Sequence, residues 1–255
     1  MLIRRAALAT AAATAVSLAG VALSPPATDA ALTAMPRPTE GHASQVGALF
    51  TISSGGELGS HFCTASVVDS PSGDLLLTAA HCLSGRSASS IAFVPDYSSG
   101  REPYGVWKVT RTTADQDWQS SADPDDDFAF LVVASSGATT LEDLTGGEAV
   151  GIGRPAGSVV TVEGYPDSED APISCSNITR LASPTQLQFD CDGYTDGTSG
   201  GPLLMGAAAP GSPATVIGVI GGYEQGGDTP SVSYAARFGS NMAALYSAAE
   251  TEAGS

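Results

Sequence analysis

The sequence predicts an all-β protein that ends in a single helix. Short apolar runs bounded by Gly, Pro, Ser and Asp recur along the chain at the spacing of strands, and helical periodicity is almost absent. The pattern changes near the C-terminus, where Ser240 can cap a helix over about 240–250. The apolar residues of that segment recur every three to four positions: Met242, Leu245, Tyr246 and Ala249.

Ten segments have the apolar, β-branched and aromatic composition of strands. They cover 46–52, 62–68, 75–78, 91–94, 106–111, 128–133, 159–163, 186–189, 216–220 and 232–237. Between 136 and 157, Gly, Ser, Thr and acidic residues replace these runs. We therefore expect two halves, over about 45–135 and about 158–238, joined by a crossing over 136–157.

Residues 1–30 have the layout of a secretory signal peptide. A pair of arginines precedes an Ala-rich apolar run over 6–23, and small residues with prolines follow up to Ala30. A membrane anchor is the alternative interpretation, since the run approaches a spanning length. We expect cleavage near Ala30, a short N-terminal or pro-segment over 31–44, a domain over 45–255, and a secreted, extracellular protein.

The chain is strongly acidic. Residues 1–30 hold two Arg and one Asp, so their removal changes the net charge from −17 to −18. Such a chain does not follow a phosphate backbone or an anionic lipid surface. We expect a monomer that binds neither nucleic acid nor, after signal cleavage, a membrane.

The four cysteines predict two disulfides, because an exported chain meets an oxidising compartment. Three pairings are possible. The local ones, Cys63 with Cys82 and Cys175 with Cys191, each close a loop of about 15 to 20 residues. A zinc site is the competing interpretation, but the sequence has no CxxC pair. We expect no metal and no cofactor.

Three segments could together carry nucleophilic chemistry. A serine hydroxyl needs a general base within hydrogen-bond reach and a third group that orients the base. His81, in the segment TAAHC, is the candidate base, whereas His42 and His61 are expected to be structural or exposed. Asp127 stands where the acidic run 123–127 meets an apolar strand, so its carboxylate can be buried enough to orient an imidazole.

We expect a different role for the rest of the acidic run. Asp123, Asp125 and Asp126 are interpreted as a solvated loop rather than as a calcium site.

Ser199 is the candidate nucleophile, within the segment GTSGGP. Flanking glycines allow a tight turn that exposes the hydroxyl. The N–H groups of Gly197 and Ser199 can then point at one spot and form an oxyanion hole.

Together the three segments resemble the trypsin/chymotrypsin-like serine protease family. Its histidine segment reads TAAHC, its aspartate precedes a short apolar strand, and its nucleophile lies in GxSGGP. The resemblance extends over about 46–246 and implies two antiparallel six-stranded β-barrels. His81 and Asp127 would come from the first barrel and Ser199 from the second.

The resemblance implies a secreted serine endopeptidase with protein or peptide substrates. Ser199 would attack the scissile carbonyl, His81 would transfer the proton, and Asp127 would stabilise the imidazolium. The family's disulfide next to the histidine would join Cys63 to Cys82.

Two departures from the family pattern are informative. Members activated by cleavage have an Asp before the nucleophile, where this chain has Thr198, and an Ile-Val-Gly-Gly segment that is absent here. We therefore expect activity without that ion pair once the signal peptide is removed, with or without the segment 31–44, as in the bacterial branch that includes glutamyl endopeptidases. Glycines also replace a serine that bonds the aspartate in many members, so Asp127 should rely on backbone donors or water.

The resemblance also suggests a specificity pocket: Asp192, Gly193, Gly221, Gly222 and Tyr223. Asp192 could confer a preference for basic side chains if the loop carries a one-residue insertion; otherwise it is a loop carboxylate in water. The glycine and tyrosine walls would equally suit a medium or large apolar side chain. Ile220 stands close to the position of a histidine in glutamyl endopeptidases, so a preference for Glu is not predicted.

Two other functions use the same features. One is a secreted binding module that has kept the fold without activity, and the other is an esterase. The presence of all three candidate catalytic residues favours an enzyme, since a binding module is free to lose them.

Overall fold

The computed structural model describes residues 35–135, 137–209 and 212–254. The predicted signal peptide, residues 1–30, lies outside the described residues. Within them, no helix has the length and apolar character needed to cross a membrane.

The elements of the described chain are mostly short strands. The strands are β1 (Thr39–Glu40), β2 (Val46–Ile52), β3 (Leu58–Val67), β4 (Leu75–Thr78), β5 (Ile91–Pro95), β6 (Trp107–Ala114), β7 (Ala129–Val133), β8 (Ala149–Val150), β9 (Val159–Gly164), β10 (Ile173–Ile178), β11 (Arg180–Leu181), β12 (Gln186–Asp190), β13 (Pro202–Met205), β14 (Thr215–Val219) and β15 (Val232–Ala236). The α-helices are α1 (Gln116–Ser121), α2 (Leu141–Thr145) and α3 (Ser240–Ala253). Single 3₁₀ turns cover Ala80–Leu83, Ala88–Ser90, Pro124–Asp126 and Tyr223–Gly226.

The first half of the chain closes into a barrel. Its six strands pair in the order β2-β3-β4-β7-β6-β5, and each pair is antiparallel. β4 and β7 are buried along their whole length, as their apolar sequences LLLT and AFLVV require. Closure removes free strand edges, so the ends of β4 and β7 are rigid points from which loops can present side chains.

The second half consists of two sheets. One has six strands in the order β1-β10-β9-β13-β14-β8, and the other has three in the order β11-β12-β15. The β14–β8 pair is parallel, whereas the resemblance implied antiparallel strands throughout. The sheets meet where the N–H of Gly221 donates to the carbonyl of Tyr234 (3.0 Å). The all-β class and the C-terminal helix are confirmed.

Each of the ten predicted segments overlaps an observed strand, and the observed ends differ by up to four residues. Five of the observed strands were not predicted from the sequence: β1, β8, β10, β11 and β13. These strands are short, polar, or begin at a proline directly after glycines, so they lack the apolar alternation that indicates a strand.

α3 buries Met242, Leu245 and Ala249, as their spacing predicted. The predicted cap is wrong, because Ser240 is the first helical residue, and the capping position belongs to Gly239, without a side-chain hydrogen bond.

The N-terminal part of the described chain packs against the second half. β1 pairs with β10, and the carbonyl of Pro36 accepts from the N–H of Asp192 (3.3 Å). The N–H of Ala43 donates to the Glu163 carboxyl on β9 (3.1 Å to Oε1). Glu163 is only 2% exposed, and burial raises its pKa to about 8.

Replacing Glu163 should change how stability depends on pH. Its folded pKa lies above its ordinary value of 4.5, so folding retains a proton that the unfolded chain releases. The wild-type free energy of unfolding should therefore fall as pH rises towards 8, by up to about 1.4 kcal/mol per pH unit. Glu163→Gln keeps an oxygen acceptor for Ala43 and does not titrate.

The difference in Tm, Glu163→Gln minus wild type, should increase between about pH 5 and about pH 8. Thermal unfolding followed by circular dichroism measures it, and other titrating groups cancel because both proteins carry them. A difference that is constant with pH would contradict the assignment of this proton to Glu163.

Candidate active site

His81 lies on a turn that the barrel and a disulfide hold in place. β4 ends at Thr78, and a 3₁₀ turn over Ala80–Leu83 follows at once, carrying His81 and Cys82. Cys82 is joined to Cys63 on β3, and Cys175 to Cys191, so the two local pairings are confirmed. The turn is therefore tied to the neighbouring strand as well as to its own.

His81 and Asp127 are in direct contact. Nδ1 of His81 lies 2.7 Å from Oδ2 of Asp127, and the backbone N–H of His81 donates to Oδ1 (2.8 Å). The N–H of Gly222 donates to Oδ2 as well (2.8 Å), so backbone donors take the place of the missing serine, as predicted. A ring proton on Nδ1, donated to Asp127, leaves Nε2 as the acceptor nitrogen of the imidazole.

The two side chains differ in exposure. Asp127 is 0% exposed, whereas the side chain of His81 is 14% exposed. A fully buried carboxylate is stable only when hydrogen-bonded, and the three contacts above supply this. The exposed edge of the imidazole is the part that a ligand can reach.

The acidic run before Asp127 is a structured turn, so the expectation of a solvated loop is wrong for Asp126. Asp126 is 5% exposed, and its carboxyl accepts from the side chain of Asn241 at the start of α3. Burial raises the pKa of Asp126. Asp123 accepts from the N–H of Asp125 (3.0 Å), and Asp125 accepts from Gln186 of β12 (2.7 Å). These bonds fix the backbone that leads into Asp127.

Backbone hydrogen bonds determine the direction of two N–H groups in the loop that carries Ser199. The carbonyl of Asp196 accepts from Asp167 (2.8 Å), and the carbonyl of Thr198 accepts from Gly201 (2.9 Å). In a trans peptide the N–H points away from its carbonyl, so the N–H groups of Gly197 and Ser199 point away from these partners. Within the described part of the chain, neither of the two donates a hydrogen bond.

Two positions in this loop require glycine. Gly197 has a φ of +91°, and a Cβ there would lie 2.4 Å from the carbonyl oxygen of Tyr165. Gly200 has a φ of +82°, and a Cβ there would lie 2.1 Å from the carbonyl oxygen of Thr64. The loop can pack this closely against both halves only without side chains at these positions.

Ser199, Gly197 and His81 line one cleft of about 640 Å³, and Ser199 also lines an adjoining cavity of about 430 Å³. One cation is present in the cleft lining, Arg86, whose guanidinium lies 3.9 Å from the ring centroid of Phe62. Four carboxylates line the cleft, the cavity, or both: Asp167, Asp196, Glu224 and Asp228. The lining is negative overall, which disfavours acidic groups of a ligand.

Asp192 and Gly193 lie apart from the cleft and the cavity. Asp192 is exposed and its N–H faces Pro36, while a Cβ on Gly193 would meet Pro38 (3.3 Å). The cavity beside Ser199 is lined instead by later residues of this loop and by a segment after β14, which the sequence analysis did not single out: Tyr194, Thr195, Gln225, Gly226, Gly227, Asp228, Thr229 and Pro230.

Gly221 and Gly222 contact Asp127. A Cβ on Gly221 would lie 3.0 Å from Oδ2 of Asp127. Tyr223 is 51% exposed and packs edge-on against Tyr234. Of the residues suggested for the specificity pocket, Gly221 and Gly222 therefore lie against the Asp127 carboxylate.

The residue before Ser199 is fixed by a local bond. Thr198 is buried, and its hydroxyl donates to the carbonyl of Thr195 (2.7 Å). The two histidines outside the site have other partners, since His42 lies near Glu40 and Asp96, and His61 near the carbonyl of Glu169.

The fold, with its closed barrel, second β half and cleft lined by both, is that of the trypsin-like serine peptidases. The chain matches the model of the trypsin-like peptidase domain over residues 59–209, and it belongs to that family. It is therefore a serine-type peptidase, a hydrolase. No curated protein matches the sequence significantly.

Solved structures agree with this assignment. Protease Anisep from Arthrobacter nicotinovorans is 26% identical with a TM-score of 0.72, covering 84% of this chain and 99% of that protein. The thermostable serine protease AL20 from an extremophilic microorganism is 25% identical with a TM-score of 0.68, covering 82% and 98%. A Glu endopeptidase, 15% identical with a TM-score of 0.66 over 84% of this chain and 97% of that one, shares the fold.

Removing the two disulfides one at a time should distinguish their effect on stability from their effect on site geometry. The loops have similar sequence separations, 19 and 16 residues, so Cys63→Ala/Cys82→Ala and Cys175→Ala/Cys191→Ala should each lower the free energy of unfolding by about 3 kcal/mol. Denaturant unfolding measures this loss. Only the first pair closes the turn that carries His81.

The low-field NMR signal of the His81 Nδ1 proton reports its hydrogen bond to Asp127. We expect this signal to weaken in the Cys63→Ala/Cys82→Ala variant and to persist in the other. An equal change in both would show that the disulfide does not position the turn.

Proposed function

We propose that this protein is a secreted serine endopeptidase that hydrolyses peptide bonds through an acyl-enzyme on Ser199. One observation carries the proposal: His81, which is bonded to the buried Asp127, lines the same cleft as Ser199, and two N–H groups of the Ser199 loop have no partner in the described chain. Family membership supports peptide bonds as the substrate.

Acylation begins when Oγ of Ser199 attacks the scissile carbonyl carbon and its proton passes to Nε2 of His81. The imidazolium is stabilised by Asp127, whose carboxylate remains ionised. The carbon–nitrogen bond then breaks, and His81 gives the proton to the leaving amine.

Deacylation repeats these steps with water. His81 takes a proton from water, whose oxygen attacks the ester carbonyl. Ser199 leaves with the proton that His81 returns, and the acid product departs. In both tetrahedral intermediates the N–H groups of Gly197 and Ser199 hold the oxyanion, a preorganised arrangement that needs little rearrangement during reaction.

Export is the second part of the proposal. The layout of residues 1–30 is that of a signal peptide, and the two disulfides fit an extracellular protein. The acidic net charge, −17 with residues 1–30 and −18 without them, favours solubility outside the cell.

The proposed nucleophile can be tested directly. A fluorophosphonate probe should label Ser199 in the folded wild type, as mapped by mass spectrometry, and Ser199→Ala should remove the label. Casein turnover should fall by at least about 10⁴-fold in this variant. Ser89→Ala, an exposed serine outside the cleft lining, should keep both label and activity.

Absence of labelling at Ser199 in folded wild-type protein would indicate a binding module and overturn the proposal. Turnover of a simple ester without turnover of casein would indicate an esterase.

We also propose that residues 36–43 stay in the mature enzyme. The β1–β10 pairing and the hydrogen bond from the N–H of Ala43 to Glu163 support this proposal. A chain beginning at Ala31 should be active as purified. A chain beginning at Gln45 should have a lower Tm, because β10 loses a partner strand and Glu163 a donor.

Differential scanning calorimetry and casein turnover of the two chains decide this point. A chain from Ala31 that hydrolyses nothing until it is trimmed would identify the segment as an inhibitory pro-segment instead.

A further inference from the structure

Thr64, which follows Cys63 on β3, holds the loop that carries Ser199. Its hydroxyl donates to the carbonyl of Gly197 (3.0 Å), and its N–H donates to the carbonyl of Ser199 (2.7 Å). The hydroxyl also accepts from the N–H of Tyr165, the residue directly after β9 (2.9 Å). Thr64 is 0% exposed, so water cannot replace these bonds.

These bonds fix alternate peptide groups of the loop. The N–H groups of Gly197 and Ser199 belong to the peptides 196–197 and 198–199, whereas Thr64 holds the carbonyls of the peptides 197–198 and 199–200. Successive planar peptides are joined only by two soft torsions at each Cα. Fixing the adjacent peptides 197–198 and 199–200 therefore limits how far the two N–H groups can turn away from the cleft.

Thr64 is also bonded to the strand that leads to His81. The hydroxyl of Thr78, the last residue of β4, donates to the carbonyl of Thr64 (2.7 Å). Because His81 lies three residues beyond Thr78, a single buried residue connects the histidine turn of the first half with the Ser199 loop of the second.

We propose that Thr64 is a positioning residue for peptide hydrolysis: its hydroxyl sets the Ser199 loop relative to His81, so that both N–H groups point at the oxyanion. The inference rests on the proposed function and adds a residue that the sequence analysis did not single out. Valine at this position would keep the shape but leave the buried carbonyl of Gly197 without a donor. Serine would keep the hydroxyl and lose one methyl group.

The test compares Thr64→Val with Thr64→Ser in the full chain. The matched control is Thr145→Val, since Thr145 is also buried, lies outside the cleft lining, and donates to the carbonyls of Leu141 and Gly146 (3.0 and 2.8 Å). Titration with a fluorophosphonate counts active sites and corrects kcat for any protein that has not folded.

In Thr64→Val, kcat for a peptide substrate should fall about 10- to 100-fold while KM changes less than about threefold, because misdirected donors affect the transition state more than the bound substrate. Thr64→Ser should keep kcat within about threefold of wild type. Thr145→Val should lower Tm and leave kcat unchanged.

A peptide aldehyde inhibitor provides a second readout. Its hemiacetal with Ser199 places an oxygen where the reaction places the oxyanion, so its affinity should fall in Thr64→Val by about the same factor as kcat. Affinity for the corresponding product peptide should not change.

If Thr64→Val loses no more kcat than Thr145→Val, or if Thr64→Ser does not restore it, Thr64 is only structural and the inference is overturned. A wild-type chain that neither hydrolyses peptides nor reacts at Ser199 would instead overturn the proposed function.

Discussion

The site depends on one buried carboxylate and the N–H groups that hold it. Asp127 is fully removed from water, which costs several kcal/mol for a charged group unless hydrogen bonds replace its hydration. Its three donor groups come from two other parts of the chain: the imidazole and backbone N–H of His81, and the backbone N–H of Gly222. Satisfying the carboxylate thus brings the end of β4, the start of β7 and the segment after β14 together.

This requirement explains several local features of the sequence. Glycine is needed at 222, where φ is +76° and a Cβ would lie 2.4 Å from the side-chain oxygen of Gln186. The same glutamine accepts from Tyr223 and donates to the turn before Asp127. The acidic turn and the glycine pair are therefore parts of one buried arrangement around Asp127.

The features that could be predicted from the sequence are those that depend on the chemistry of neighbouring residues. The apolar runs of β4 and β7 indicated a buried sheet, and the short turns after or before them indicated where His81 and Asp127 would emerge. The contact between these two side chains, and the place of Ser199 in the same cleft, followed from the family resemblance of the three segments. The local disulfide pairings were also among the alternatives that spacing suggested.

What the sequence could not predict depends on contacts between distant segments. Thr64 lies 133 residues from Gly197, and nothing in its neighbourhood indicates that its hydroxyl reaches that loop. Asp126 is buried, and its carboxyl accepts from Asn241 on α3, 115 residues later in the chain. The cavity beside Ser199 is likewise formed by loops whose polar, glycine-rich composition predicts only a turn.

The two disulfides make the stability of this fold depend on the compartment in which the chain folds. Each contributes about 3 kcal/mol against a total stability of about 5–15 kcal/mol for a typical domain, so a reduced chain would lack a large part of it. The glutathione-rich cytosol keeps thiols reduced, whereas the exterior oxidises them. Under the proposed export, a chain still inside its producer would lack the cross-link beside His81, and the cell's own proteins would meet an incompletely assembled cleft until translocation is finished.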